Sequence, residues 1–153
     1  MVEINNRTKA KVDTKMVKKI SEVFLRERRR KGYDLSVAIV GDGEIRKLNN
    51  AYRKIDRPTD VLSFAGEGKF LGEIILGINQ IKRQARELKR SAKDELAFIL
   101  VHGLLHLAGL DDKTEKGRLN MIKEAEKFLT KHKCELSSHP ASRLRGGIIA
   151  EQL

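Results

Sequence analysis

Two histidines four residues apart are the side chains in this sequence best suited to chemistry. His102 and His106 lie in an apolar stretch typical of a helix. At about 100° per residue they lie only about 40° apart around the helix axis, so both imidazoles project to the same side. Two neutral imidazoles so placed can share one metal ion, and a third ligand must then come from outside this turn of helix.

Gly109 and Asp112 supply the rest of a candidate metal site. Gly109 can adopt a positive φ at the end of the helix, which turns the chain so that the following residues fold back toward the histidines. Asp112 then becomes the third ligand of a site with one open position, which is the catalytic kind. Simpler interpretations exist, because buried histidines are often satisfied by hydrogen bonds and Asp112-Lys113-Thr114-Glu115 fits a helix capping box. The combined spacing is much rarer than its parts and predicts a metal site.

The elements that must position these residues follow from the hydrophobic periodicity. Residues 94–108 are apolar almost all round, which predicts a central helix buried on every side. Alternating and β-branched patterns predict strands at 2–6, 35–40, 59–64 and 71–76, the last two forming a hairpin. Helical patterns cover 14–31, a short segment after residue 43 that carries Ile45, Leu48 and Tyr52, 78–93 and 113–131. The predicted fold class is α+β: a small mixed sheet of about four strands packed with about five helices, with the central helix carrying the metal ligands.

Length and cysteine content limit the architecture. The 153 residues fit one hydrolase domain, placed at 1–134, followed by a C-terminal tail at 135–153 where periodicity is lost. Cys134 is the single cysteine, which excludes an intramolecular disulfide framework and a Cys-based zinc ribbon. Any metal must therefore be held by histidine and carboxylate. No secretory signal or membrane-spanning stretch is evident, so a cytoplasmic protein without a membrane partner is expected.

The charge of the chain favours a polyanionic partner. Lys and Arg number 32 against 21 Asp and Glu, a formal charge of +11, which indicates nucleic acid first and an anionic membrane surface second. The predicted helix at 78–93 carries the densest basic surface: Lys82, Arg83, Arg86, Lys89 and Arg90. Aromatic residues are few, with five Phe, two Tyr and no Trp, so surfaces on which bases could stack are not evident.

The two-histidine pattern is similar to the zinc-binding helix of the metzincin proteases. In those enzymes a Glu directly after the first His acts as general base. Gly103 occupies that position here, which argues against peptide hydrolysis by that mechanism. A metallopeptidase is therefore a disfavoured alternative.

Three separate stretches together resemble a different family. Residues 102–111 reproduce His-Gly-x-Leu-His-Leu-x-Gly-Tyr-Asp except that Leu110 replaces Tyr, Tyr52-Arg53 precedes a Pro-Thr-Asp-Val-Leu-Ser-Phe strand at 58–64, and Gly72-Glu73-Ile74 matches a Gly-Asp-Ile strand. These motifs, in matching order over nearly all of residues 1–133, resemble the YbeY family of bacterial ribosomal-RNA maturation factors, which are metal-dependent endoribonucleases with a metzincin-like fold.

The resemblance implies a site and a substrate. It implies one Zn²⁺ ion held by His102, His106 and Asp112, with Arg53 and His102 as the catalytic residues and Arg53 stabilising charge on a phosphodiester. The family's third His falls on Asp112, and a carboxylate there suits a harder ion better and leaves the metal open. The implied function is single-strand-specific endoribonuclease action in 16S rRNA 3′-end maturation and ribosome quality control, with ribosomal RNA and the small ribosomal subunit as partners and no DNA.

One alternative function and one further expectation follow from the sequence. A non-enzymatic RNA-binding assembly factor with a structural metal is an alternative to the nuclease.

Strand alternation places Thr59 and Ser63 on the face opposite to Asp60, so these three residues are not expected to line one groove, and no catalytic role is assigned to them.

Overall fold

A four-stranded mixed sheet and six helices make up the part of the chain that this computed structural model describes, residues 1–136. The sheet order is β1-β2-β4-β3, where β1 pairs parallel with β2, β2 parallel with β4, and β3 antiparallel with β4. The strands are β1 (Val2–Asn6), β2 (Asp34–Val40), β3 (Val61–Ala65) and β4 (Phe70–Gly77). The predicted α+β class and the β3–β4 hairpin are confirmed, and β3 lies at an edge of the sheet.

The helices flank this sheet on both faces. They are α1 (Thr14–Glu27), α2 (Asp42–Arg53), α3 (Ile78–Glu87), α4 (Ala92–Leu107), α5 (Glu115–Lys131) and α6 (Lys133–Leu136). The first two residues of the predicted tail, Glu135 and Leu136, belong to α6, and the remainder of that tail lies outside the described residues. Within residues 1–136, none of the helices combines the length and the apolar character that a bilayer span requires.

Helix α4 is the centre of the main core, as the sequence predicts. Ten of its residues are buried, and the helix contacts α1, α3, α5, β3 and β4. The other face of the sheet has a smaller core in which Ile45 of α2 packs with Ala38, Val40 and Ile75. Because α4 is surrounded on nearly all sides, its two histidines are held on a rigid element.

Two helices end earlier than predicted. The expectation that α1 runs to Lys31 is wrong, because Arg29 adopts a positive φ of 57° and the Arg30 amide donates to the Leu25 carbonyl at 2.7 Å. Helix α3 likewise ends at Glu87, where Lys89 at φ 55° turns the chain before α4 begins. Both helices are thus closed by a residue with a long polar side chain whose backbone is in the left-handed conformation. Glycine is the residue usually found at such a position.

Candidate metal centre

The two histidines lie on one face of α4. Their ring centroids are 4.9 Å apart and their planes cross at 76°. The side chains of His102 and His106 are 19% and 29% exposed, so each ring is mostly buried but still reachable. This is the geometry that the four-residue spacing predicts for two side chains one helical turn apart.

The connection from α4 to α5 brings Asp112 to the histidines. Gly109 has φ +102°, and the Leu110 amide donates to the Leu105 carbonyl at 3.1 Å, which closes α4 with the expected left-handed turn. Asp112 Oδ2 then lies 3.7 Å from His102 Nε2 and 3.6 Å from His106 Nε2. The structure thus brings together the three residues that the sequence singles out.

Asp112 is not the cap of α5. Thr114 is the N-cap, and its hydroxyl accepts a hydrogen bond from the Gly117 amide at 3.0 Å. The neighbouring Asp111 accepts from the Lys113 amide at 3.2 Å through its carboxylate, which tightens the turn before the helix. The capping interpretation of Asp112 is therefore wrong, and its carboxylate is available to the cavity.

The three donors fit a divalent ion. One ligand atom from each of the three residues can be chosen so that all lie within 4.8 Å of one another. At the usual zinc–ligand distances of about 2.0–2.1 Å, tetrahedral ligand atoms lie about 3.3 Å apart. The two His–Asp distances then need to shorten by only a few tenths of an ångström, and the separation of the two His nitrogens by up to about 1.5 Å. Two imidazoles and one carboxylate are a donor set that zinc takes while leaving a place for water or substrate.

Burial keeps His102 in the form that binds metals. Desolvation lowers the pKa of His102 below its ordinary value, and the neighbouring His106 lowers this pKa further. The carboxylates of Asp60 and Asp112 act in the opposite direction. The net lowering favours the neutral imidazole at neutral pH, which is the ligating form.

The three side chains border a cavity of about 770 Å³ that also involves α2 and β3. Because β3 is an edge strand, the cavity runs along its unpaired backbone edge, and residues from both of its faces reach it. The expectation that Thr59, Asp60 and Ser63 cannot line one groove is therefore wrong. The remaining lining residues are Tyr52, Arg53, Val61, Leu62, Phe64, Ala65 and Leu107.

Arg53, the last residue of α2, borders this cavity with an unpaired guanidinium. Within residues 1–136 its side chain has no hydrogen bond or ion pair. Other arginines are engaged: Arg83 forms two hydrogen bonds of 2.9 Å with the Asp42 carboxylate, and Arg90 is buried beside Glu95. Two members of the predicted basic surface at 78–93 are thus committed to internal pairs, whereas Arg53 is free to bind an anion.

A buried polar network behind the cavity is not evident from the sequence. Gln84 Nε2 donates to Asp60 Oδ2 at 3.2 Å and to Glu95 Oε2 at 2.9 Å, and the Glu95 carboxylate lies 3.4 Å from Arg90 Nε. The network holds Asp60 at the side of the cavity nearest α3. Its signal in the sequence is Glu95, which lies seven residues before His102, and the neighbouring Asp94 in the same first turn of α4 makes that signal weak.

Gly103 faces β3 at close range. A Cβ at this position would lie 3.1 Å from Val61 Cγ2 and 3.2 Å from Ser63 Oγ, and the Ser63 hydroxyl donates to the Gly103 carbonyl at 3.1 Å. A side chain at residue 103 therefore requires the Val61 and Ser63 side chains to give way by at least a few tenths of an ångström. The position at which a peptidase-type general base would stand thus packs tightly against β3.

Known proteins resemble this chain over most of its length. A family model described as Endoribonuclease YbeY matches residues 3–133. The Endoribonuclease YbeY of Geobacillus thermodenitrificans is 38% identical over 143 residues, covering 84% of this chain and 91% of the relative. That of Aquifex aeolicus is 38% identical over 126 residues, covering 79% and 84%. The solution structure of TM1509 from Thermotoga maritima superposes with a TM-score of 0.60 at 28% identity, covering 94% of this chain and all of that one.

Proposed function

The chain belongs to the YbeY family of endoribonucleases, and from this membership we propose that it is a metal-dependent enzyme that cuts single-stranded RNA. The observation that supports the proposal is the meeting, in one cavity, of three side chains that could hold a metal with the guanidinium of Arg53, which has no partner among residues 1–136. The formal charge of +11 favours a polyanionic substrate.

His102, His106 and Asp112 are the residues proposed to hold the ion. When bound, a divalent ion at this place would supply Lewis-acid polarisation of water or of the scissile phosphate. His102 contributes as a neutral ligand fixed on α4, which makes it a catalytic residue through the ion it holds. We propose that the ion is Zn²⁺, because two imidazoles and a carboxylate are a common zinc donor set. The carboxylate of Asp112 also suits harder ions, so metal analysis of the purified protein decides which ion is bound.

Arg53 is the second proposed catalytic residue. A guanidinium can bind two oxygens of a phosphodiester at once, and its charge stabilises the negative charge that develops on these oxygens during cleavage. Its position at the end of α2, across the cavity from the histidines on α4, would hold the phosphate between the two elements. Arg53 therefore both orients the strand and stabilises the transition state.

We propose ribosomal RNA as the substrate, with action in 16S rRNA 3′-end maturation and ribosome quality control on the small subunit in the cytoplasm. The family membership and the basic charge support this assignment. Recognition of one cleavage site then depends on the RNA fold or on the ribosome, because the cavity itself is open and mostly polar.

Cleavage of a labelled single-stranded RNA by the purified chain tests the proposal. Cleavage should stop with a chelator and return with added Zn²⁺ or another divalent ion. His102→Ala should abolish the restored activity, and Arg53→Ala should lower the rate by about 10²- to 10³-fold, as expected when a charge-stabilising donor is removed.

Arg46→Ala is the matched control for Arg53. Arg46 also lies on α2, but it pairs with Asp56 and is outside the cavity lining, so its replacement should leave the cleavage rate nearly unchanged. Cleavage that survives both chelation and His102→Ala would contradict the proposal. Tight RNA binding with no cleavage under any metal condition would favour the non-enzymatic assembly factor instead.

A further inference from the structure

An exposed aromatic ring stands at the rim of the cavity. Tyr52 precedes Arg53 at the end of α2 and is 67% exposed, although the sequence pattern groups it with the inward-facing Ile45 and Leu48. Within residues 1–136 its hydroxyl takes part in no hydrogen bond. The other strongly exposed large apolar residues of the described chain, Met1, Phe70 and Leu119, do not border the cavity. Among these exposed residues, Tyr52 is therefore the one that lies at the candidate site.

Phe64 supports this ring from the side of the sheet. The two ring centroids are 4.9 Å apart and the planes cross at 62°, an edge-to-face arrangement. Phe64 in turn packs against the smaller core around Ile45. An edge-to-face pair uses at most one face of either ring, so at least one face of Tyr52 stays open to the solvent while the ring is held in place.

We propose that Tyr52 is a stacking platform for an unpaired base of the RNA strand whose phosphate Arg53 binds. The inference rests on the proposed function and adds a recognition residue to it. A base can stack on a protein ring only when it is not stacked within a duplex, and such stacking tolerates any base identity. Tyr52 therefore makes the cavity selective for single strands without making it selective for sequence.

The neighbouring groups fit this role. Tyr52 and Arg53 are consecutive in the chain and both border the cavity, so the ring and the guanidinium can engage the base and the phosphate of one nucleotide or of adjacent ones. The sequence contains few aromatic residues, so it does not indicate an extended stacking surface. One tyrosine ring held in place at the site needs no such surface. An isolated exposed tyrosine with no site beside it would carry no such meaning.

Binding of two matched strands tests the platform without cleavage. The first probe is a short single-stranded RNA that contains a fluorescent purine analogue, and the second is a ribose-phosphate strand of the same length without bases. Both are measured with the full chain in the presence of chelator. Tyr52→Leu should weaken binding of the first strand about tenfold and abolish quenching of the purine, as expected when one stacked base is released, while binding of the abasic strand stays unchanged.

Two further variants make the result specific. Tyr52→Phe keeps the ring and should bind like the wild type, and Phe70→Leu removes an aromatic that is 42% exposed but outside the cavity and should have no effect. Equal weakening of both strands by Tyr52→Leu, or weakening by Tyr52→Phe, would overturn the platform. Absence of cleavage by a protein that still quenches the purine through Tyr52 would remove the proposed function and leave the binding role.

Discussion

At the scale of single residues, the metal centre depends on two kinds of placement. His102 and His106 are set by helical spacing alone, so their convergence could be predicted from the sequence. Asp112 reaches them only because Gly109 turns the chain and the connection to α5 folds back, which no local pattern guarantees. The exposure of Tyr52 and the network of Gln84 with Asp60 and Glu95 depend on tertiary contacts, so sequence patterns could not predict them.

Asp112 offers the clearest residue-scale prediction. Asp112→Ala removes one of the three proposed ligands and should weaken Zn²⁺ binding by more than the roughly 10- to 100-fold that removal of an outer-sphere partner causes. The stabilisation of the fold by added Zn²⁺ should shrink accordingly. Titration calorimetry and thermal melts with and without Zn²⁺ measure both effects.

Asp111→Ala is the control for that experiment. Asp111 is the exposed neighbour whose carboxylate holds only the Lys113 amide, and its replacement removes the same charge. The affinity of this variant for Zn²⁺ should remain within a few-fold of wild type. Equal weakening in the two variants would mean that Asp112 acts through charge or loop shape rather than as a ligand.

At the scale of elements, strong periodicity is a reliable guide and helix ends are not. Helix α4 and the β3–β4 hairpin follow from apolar and alternating patterns, and both could be predicted. The ends of α1 and α3 could not, because Arg29 and Lys89 occupy the left-handed conformation at a cost of about 1–2 kcal/mol each, which the hydrogen bonds from the Arg30 amide to Leu25 and from the Arg90 amide to Ala85 help to offset. The sheet order, which local patterns also do not reveal, makes β3 an edge strand and places residues from both of its faces along the cavity.

The close approach of α4 to β3 predicts the outcome of placing an acid at residue 103. Gly103→Glu should lower the free energy of unfolding by about 1–3 kcal/mol, because the side chain must displace Val61 and Ser63. It should also confer no peptidase activity. Urea denaturation gives the first quantity, and a casein digestion assay gives the second.

Gly43→Glu provides the comparison on another helix. A Cβ at Gly43 in α2 would meet nothing within 4 Å, so this variant should keep or raise stability, by up to about 1 kcal/mol from helix propensity. Similar urea midpoints for the two variants would show that residue 103 is less confined than its surroundings indicate.

At the scale of the whole molecule, some basic side chains form ion pairs with acidic residues of the chain and others are exposed to solvent without such a pair among the described residues. Arg83 and Arg90 of the basic segment after β4 are paired with acids, which leaves Lys82, Arg86 and Lys89 to attract an RNA backbone. The excess positive charge of the sequence is therefore a poor guide to which helix face binds RNA, because composition does not reveal pairing. The ion pairs of the folded chain supply that information.

This distribution predicts how salt affects RNA binding. For single strands, the slope of log affinity against log salt changes by about 0.7 for each phosphate that a basic side chain neutralises. The double variant Arg86→Ala, Lys89→Ala should therefore flatten the slope by up to about 1.4 if both residues bind phosphates. Fluorescence anisotropy with a short labelled RNA over a range of salt concentrations measures the change.

Two lysines on α5 give a control with the same change in net charge. Lys123 and Lys127 are exposed on the outer side of that helix, and Lys127 borders a different surface pocket near Arg28. Their double replacement by alanine should leave the slope close to wild type. If replacing Lys123 and Lys127 flattens the slope and replacing Arg86 and Lys89 does not, the RNA path lies across α5.

The first turn of α5 contains a glycine whose influence extends beyond its own position. The Asp111 carbonyl oxygen would lie only 2.7 Å from a Cβ at Gly117, so this approach is open to glycine alone. A larger residue would force the Asp111 backbone or the start of α5 to shift, and we expect such a shift to displace the adjoining carboxylate of Asp112 relative to the two imidazoles. If Asp112 is the third ligand, a residue with no donor atom helps to set its position, and changes of ion affinity could then arise at a residue that does not contact the ion.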